Sequence, residues 1–245
     1  MTTAIPTAIP EAISEAISDH ARPADVLARR AFGPRVRRLH ARIGAAHHQA
    51  EGMTFSRSLL EGHASPRQLA ALIRALAPAY ELIEEQGPEL AAALGAKAFP
   101  WTVLARRQAL RQDVAMLGAI PATPASAAAH DWLDQLRDLA RQAPHRLMAH
   151  VYVRYGGDLS GGQQLGEKAQ AILSSQGLPS LRFWKFQRPI PELKQALHDA
   201  FEQLDLSEVE EEELLEEAVV AFRATQRLLA ELAALETPAP ASSEA

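Results

Sequence analysis

A chain of 245 residues, 47% of them apolar, is long enough to bury one sizeable core, and a single folded domain is expected. Its formal net charge of −5 excludes the bulk positive field that binding to a phosphate backbone requires, so no nucleic-acid partner is expected. The lack of cysteine excludes disulfides, thiolate zinc sites, iron–sulfur clusters and a cysteine nucleophile, which leaves His, Tyr, Met and carboxylates to hold any metal.

No run approaches the ~20 apolar residues that span a bilayer, and the N-terminus lacks the basic start and apolar middle of a secretory signal, so a soluble cytoplasmic protein with no membrane partner is expected. Aromatic residues make up only 5%, and Ala, Leu, Glu, Gln and Arg dominate. That composition favours helices and offers few β-branched runs for strands; the expected fold class is all-α.

In chain order, residues 3–18 form a proline-broken tetrapeptide repeat, read as a flexible arm over residues 1–32. Gly33-Pro34 opens the first helix, whose Val36, Leu39, Ile43, Ala46 and Ala50 recur at helical spacing. Ser65 and Gln68 form a capping box for a second helix that carries Leu72, Leu76 and Tyr80 past Pro78, where a kink is expected. A third helical segment runs from Trp101 to Leu117, a fourth from near Ala128, and Pro144 starts a fifth. After a loop around Pro179, helices from Ile190 and from Ser207 to Leu235 complete a domain over 33–235, the last one opened by a capping box of Ser207 and Glu210. The acidic run Glu210 to Glu213 reads as a solvated first turn, favoured by the helix dipole. Residues 236–245, rich in Pro, Ala and Ser, are expected to be a disordered tail.

Composition does not explain the stretch from Ala149 to Leu165, where Gly156, Gly157, Gly161 and Gly162 sit inside a helical pattern. Each glycine costs about 1 kcal/mol against alanine in a helix interior, so the cluster needs a compensating role. Gly157 and Gly161, four apart, would let the main chain approach a flat ring system; a close helix–helix crossing is the structural alternative. Leu159-Ser160-Gly161-Gly162-Gln163 also spells the signature of ABC-type ATPases, but no Walker A sequence accompanies it.

The run from Tyr152 to Gln163, within His150 to Gln170, closely resembles the distal helix of haem oxygenases. The resemblance implies a single-domain helical bundle that holds haem between a proximal helix and a kinked, glycine-rich distal helix. It implies that Gly157 and Gly161 contact the distal face, that Tyr152 and Phe222 line the cofactor site, and that Asp158 anchors a water network held by Arg154 and Tyr80. Haem needs an axial ligand, and His47 points from the apolar face of the first helix. On spacing alone a core histidine is the commoner reading, but Glu51, one turn on, can accept from the second ring nitrogen and fix the tautomer. His47-His48-Gln49-Ala50-Glu51 is similar to the family's proximal motif, which makes His47, rather than His48, the expected iron ligand.

The resemblance continues through Tyr80 to Glu85 and Leu104 to Asp113, and outside it fall residues 1 to about 33 and the tail. At the propionates it implies Lys194; one turn on, where many members carry arginine, this chain has His198, and on the first helix, where Gly44 stands in place of the family's lysine, Arg42 and His40 are the local candidates, with ordinary surface charge the equal alternative for Arg42 and Lys194. The implied activity is oxidative cleavage of haem b, both cofactor and substrate, by O2 to biliverdin, carbon monoxide and ferrous iron. With no flavin or NAD fingerprint, electrons are expected from a ferredoxin or an NADPH-dependent reductase. A monomer is expected. A non-catalytic haem carrier or sensor would share His47 and the glycines but has no use for Asp158. A di-iron bundle fails because none of the nine histidines has Glu three residues before it.

Overall fold

The computed structural model describes residues 32–236. The arm expected over 1–32 and the tail expected over 236–245 thus lie, apart from Phe32 and Glu236, outside the described residues. Within them there is no strand. The helices are α1 (Pro34–Glu51), α2 (Thr54–Leu60), α3 (Pro66–Ala93), α4 (Trp101–Leu104), α5 (Arg107–Met116), α6 (Ala127–Gln142), α7 (Pro144–Leu159), α8 (Gly162–Ser175), α9 (Ile190–Glu202) and α10 (Glu208–Ala234).

Local chemistry sets many of the boundaries. Ser65 and Gln68 form the capping box of α3, Ser207 and Glu210 that of α10, and Ser126 caps α6. Prolines occupy the first turns of α1, α3, α7 and α9, where the missing N–H is harmless. Gly95, with φ +90°, follows the end of α3 in the left-handed conformation that turns the chain away. α3 runs as one helix through both Pro78 and Pro88.

One expectation needs correction and two gain detail. The segment from Trp101 to Leu117 is two helices, because the Glu84 carboxylate on α3 accepts from the backbone N–H groups of Arg106 and Arg107 and so caps α5 from outside. The kink expected in the glycine-rich segment falls at Ser160: α7 ends at Leu159, Ser160 leaves helical geometry with φ −99° and ψ −89°, and α8 starts at Gly162. The acidic start of α10 faces solvent as expected and is also ion-paired. Its Glu211 takes Arg35 and Arg38, Glu212 takes Arg38 and Arg42, and Glu213 takes His145.

α10 is the central strut, with α1 and α7 both packed along it and α9 touching both. α7 is buried nearly all round, which is why its pattern is only weakly amphipathic. Its N-terminal half is locked to α6 and α10 through His150, which is fully buried: Trp132 Nε1 donates to His150 Nδ1 at 3.0 Å, so the ring proton sits on Nε2 and is donated to Glu217 at 2.9 Å. Arg146 and Gln135 also donate to Glu217, so this buried carboxylate is fully partnered. α1 is tied at its own N-terminus by a residue of α9. Glu202 accepts from Val36 N at 2.8 Å and Arg35 N at 3.3 Å, in the space left free by Gly33, where a Cβ would lie 2.1 Å from the Glu202 carboxyl carbon.

Candidate functional site

The glycines of the α7–α8 segment separate into two kinds. A Cβ built on Gly162 would meet the Trp184 ring at 2.9 Å, and one on Gly166 would meet Trp184 Cβ at 2.8 Å; these two are small because an indole packs against the backbone of α8. A Cβ built on Gly156, Gly157 or Gly161 meets no atom within 4 Å. Gly157 is exposed in the last turn of an otherwise mostly buried helix, and Gly161 is exposed beyond the break. Protein packing therefore accounts for one pair of glycines and leaves the other, Gly157 and Gly161, without a structural reason.

Immediately after Gly157, Asp158 turns inward and is 3% exposed. Tyr80 of α3 donates its hydroxyl to Asp158 Oδ2, Arg154 Nε donates to Tyr80 Oη at 3.3 Å, and Arg154 Nη2 lies 3.7 Å from Asp158 Oδ1. Burial pushes the Asp158 carboxyl up, against the pull of Arg154 and the Tyr80 hydrogen bond. Burial also raises the Tyr80 phenol well above its ordinary value, so it stays a proton donor. The structure thus brings together Asp158, Arg154 and Tyr80. A second pair, Tyr155 donating to Glu84 at 2.8 Å, lies one ring contact away, with Tyr80 and Tyr155 centroids 5.4 Å apart.

The loop after α8 supports this cluster. Asp113, fully buried, accepts from Arg182 N and Phe183 N at 2.8–2.9 Å. That hydrogen bonding seats Phe183 edge-on against Tyr80 at 5.4 Å and places Trp184 over α8. Gln163 Nε2 donates to the carbonyls of both Asp158 and Trp184. Asp113 and Gln163 were named from the sequence without a role, since their partners lie many residues away.

On α1, His47 is not a core histidine: its side chain is 47% exposed. Glu51 lies within 3.5 Å of His47 Nδ1 and within 3.6 Å of His48 Nδ1, so the carboxylate expected to serve His47 alone reaches both imidazoles. Phe222 of α10 presents its ring to His47 at 5.8 Å, close to perpendicular. Further along α1, His40 sits 6.0 Å from the Tyr152 ring and 5.9 Å from that of His198. The Tyr152 hydroxyl is buried with no hydrogen-bond partner among the described residues. The His198 imidazole is pushed down to about 4 by burial, then by His40 and Lys194. Lys194 is half-buried, its ammonium pushed down by burial, with no carboxylate within 4 Å among the described residues. Arg42 stands apart from this group, in an ion pair with Glu212.

A cavity of about 450 Å³ lies between α3, α6 and α10, lined by residues such as Ala71, Pro78, Leu133 and Leu228. None of the site residues borders it, so it is not the candidate site. No helix among the described residues is long and apolar enough to cross a membrane.

The class is an all-helical bundle that sets a solvent-facing imidazole on one helix and a bare glycine surface beside a buried acid on another. Residues 36–231 match the family profile described as heme oxygenase. Over 207 residues the chain is 33% identical to heme oxygenase 1 of Rattus norvegicus, covering 78% of this chain and 68% of that protein. It is 26% identical over 192 residues to the heme oxygenase of Rhodella violacea, covering 76% and 82%. The fold is similar to the crystal structure of the heme oxygenase-1 of the cyanobacterium Synechocystis in complex with heme (TM-score 0.73, 26% identity, 82% of this chain and 92% of that one) and to the solved structure of the heme oxygenase from Leptospira interrogans (0.70, 29%, 79% and 97%). The chain belongs to the heme oxygenase family.

Proposed function

We propose that this protein is a haem oxygenase that opens haem b to biliverdin, carbon monoxide and ferrous iron, using O2 and electrons from an external ferredoxin or NADPH-dependent reductase. The observation that carries the reading is the pair Gly157 and Gly161, exposed, with no protein atom where a side chain would go, beside a buried acid that is held by Tyr80 and Arg154. Haem fits the residues present. It asks for an imidazole with a carboxylate behind it, a bare backbone for its ring, and polar groups at its propionates. His47 with Glu51, the two glycines, and Lys194, His40, His198 and the unpartnered Tyr152 hydroxyl answer each demand.

Haem, when bound, supplies both the iron at which dioxygen is reduced and the ring carbon that is oxidised. The chain positions it and manages protons. His47 would hold the haem iron, and Glu51, which lies 3.5 Å from His47 Nδ1, would accept from Nδ1–H, fix that tautomer and raise the basicity of the ligand. Phe222 packs against the edge of the imidazole and limits its rotation. Gly157 and Gly161, which leave open space where side chains would stand, would let the main chain lie against a bound haem beside Asp158. Asp158 would supply protons on the glycine side of a bound haem, while Tyr80 and Arg154 hold its two oxygens in place. Lys194 and the Tyr152 hydroxyl take the propionates, since buried carboxylates need partners, and Arg42 remains with Glu212.

In this reading residues 33–235 are the catalytic domain of a cytoplasmic monomer, with 1–32 and 236–245 as flanking segments. A haem carrier would need the imidazole and the glycines but not a buried, tyrosine-held acid beside them. The deciding experiment supplies hemin, a reducing system and oxygen, then follows loss of the Soret band and identifies the bilin isomer. Stable haem with no bilin product would refute the assignment.

A further inference from the structure

His48 has no part in the haem site proposed above, yet it shares a carboxylate with the residue that does. His47, His48 and Glu51 each offer a ligand atom within 4.8 Å of the others, and all three are exposed. Two imidazole nitrogens and one carboxylate suit divalent first-row metals of borderline softness, with water completing the coordination. The set lies in the last turn of α1, where the partial negative charge of the helix C-terminus favours a cation.

We propose that the haem-free protein holds a divalent transition-metal ion on His47, His48 and Glu51, and that this ion and haem exclude each other. The Nδ1 atoms of both histidines are the ones that face Glu51. An ion seated there takes the Nδ1 lone pair of His47, so the single proton of the neutral ring must sit on Nε2. Haem requires the opposite tautomer, with the proton on Nδ1 and the lone pair on Nε2. One imidazole cannot satisfy both without losing its last proton. The exclusion rests on the proposed role of His47, whereas the cation site rests only on the placement of the three side chains. Ferrous iron, the metal product of the proposed reaction, belongs to the class of ion this set accepts. Zinc binds such ligands more tightly and has no redox chemistry, which makes it the sharper probe.

The test uses the untagged full chain. Haem-free protein is titrated with Zn2+ by calorimetry and with Co2+ by visible absorption, then with hemin in the presence and absence of Zn2+. One equivalent of Zn2+ is expected to bind, with affinity reduced at least about tenfold in His48→Ala. Hemin affinity should be unchanged in His48→Ala, and Zn2+ should weaken hemin binding in the natural protein but not in that variant. Absence of stoichiometric zinc binding, or equal binding by His48→Ala, would overturn the site. Zinc and hemin binding together without mutual weakening would overturn the exclusion. Failure of hemin to bind at all would remove the haem reading and the exclusion with it, while the calorimetry still judges the cation site.

Discussion

The two helices that carry the proposed ligand and the proposed acid are built in opposite ways. At the C-terminal end of α1, His47, His48 and Glu51 are exposed and make few contacts, so the imidazole is free to accept what arrives. On α7, Asp158 is sealed in and held by Tyr80 and Arg154, and it is backed by Phe183 and Asp113 through the loop after α8. The difference teaches that binding and chemistry are assigned to different mechanical regimes. A ligand that must be loaded sits on an open, adaptable surface, whereas a group that must direct protons is preorganised by its surroundings.

The sharpest way to break this division is to delete each side in turn. His47→Ala should lose haem affinity by at least about 100-fold, read from the Soret titration, while the thermal midpoint of the haem-free protein stays within about 2 °C because the side chain is exposed. Asp158→Ala should do the reverse. Its haem affinity should stay within a few-fold of the natural protein, while bilin formation in single-turnover assays falls by about 100-fold, the scale of a lost acid–base group. An Asp158→Ala protein with undiminished bilin yield would end the assignment.

The glycines sharpen the same contrast with smaller effects. Gly166→Ala puts a Cβ 2.8 Å from Trp184 Cβ and should cost about 1–3 kcal/mol, a fall of several degrees in thermal midpoint. Gly157→Ala meets no atom and should instead gain up to about 1 kcal/mol from helix propensity. The larger Gly157→Leu should weaken haem binding about tenfold without unfolding the protein. Equal thermal responses at the two positions would mean that the distinction between them is false.

A further expected effect concerns acid. His198 has its folded value pushed down to about 4 from an ordinary 6.5, so the unfolded chain binds more protons between those two values. Its contribution is therefore fully present above about pH 6.5 and is lost as the pH falls towards 4, an effect of roughly 1–3 kcal/mol. His198→Gln should flatten that part of the stability profile, as measured by thermal melts of haem-free protein at pH 7.5 and pH 5.

What could be read in the sequence follows from how far each feature's partner lies along the chain. Ser65 with Gln68 and Ser207 with Glu210 form caps within four residues, and Pro144 marks a first turn by itself, so those helix starts were legible. The break between α4 and α5 depends on Glu84, 22 residues before Arg106, and no local signal announces it. The two roles of the glycines depend on Trp184, which lies beyond α8 and a loop. The spacing of Gly162 and Gly166 was the available signal that a large side chain would be seated there. Gly157 and Asp158 were recognised through the resemblance of a contiguous run, whereas the pairing of Arg42 with Glu212, 170 residues on, was not foreseeable from charge alone.

The cap supplied to α1 by Glu202 has a consequence for biosynthesis. Val36 and Glu202 are 166 positions apart, and Arg35 further depends on the carbonyls of Phe201 and Leu204 and on Glu211. The helix that bears His47 is synthesised well before residues 201–211, so its N-terminus cannot be anchored in this way until that distant segment has also been made.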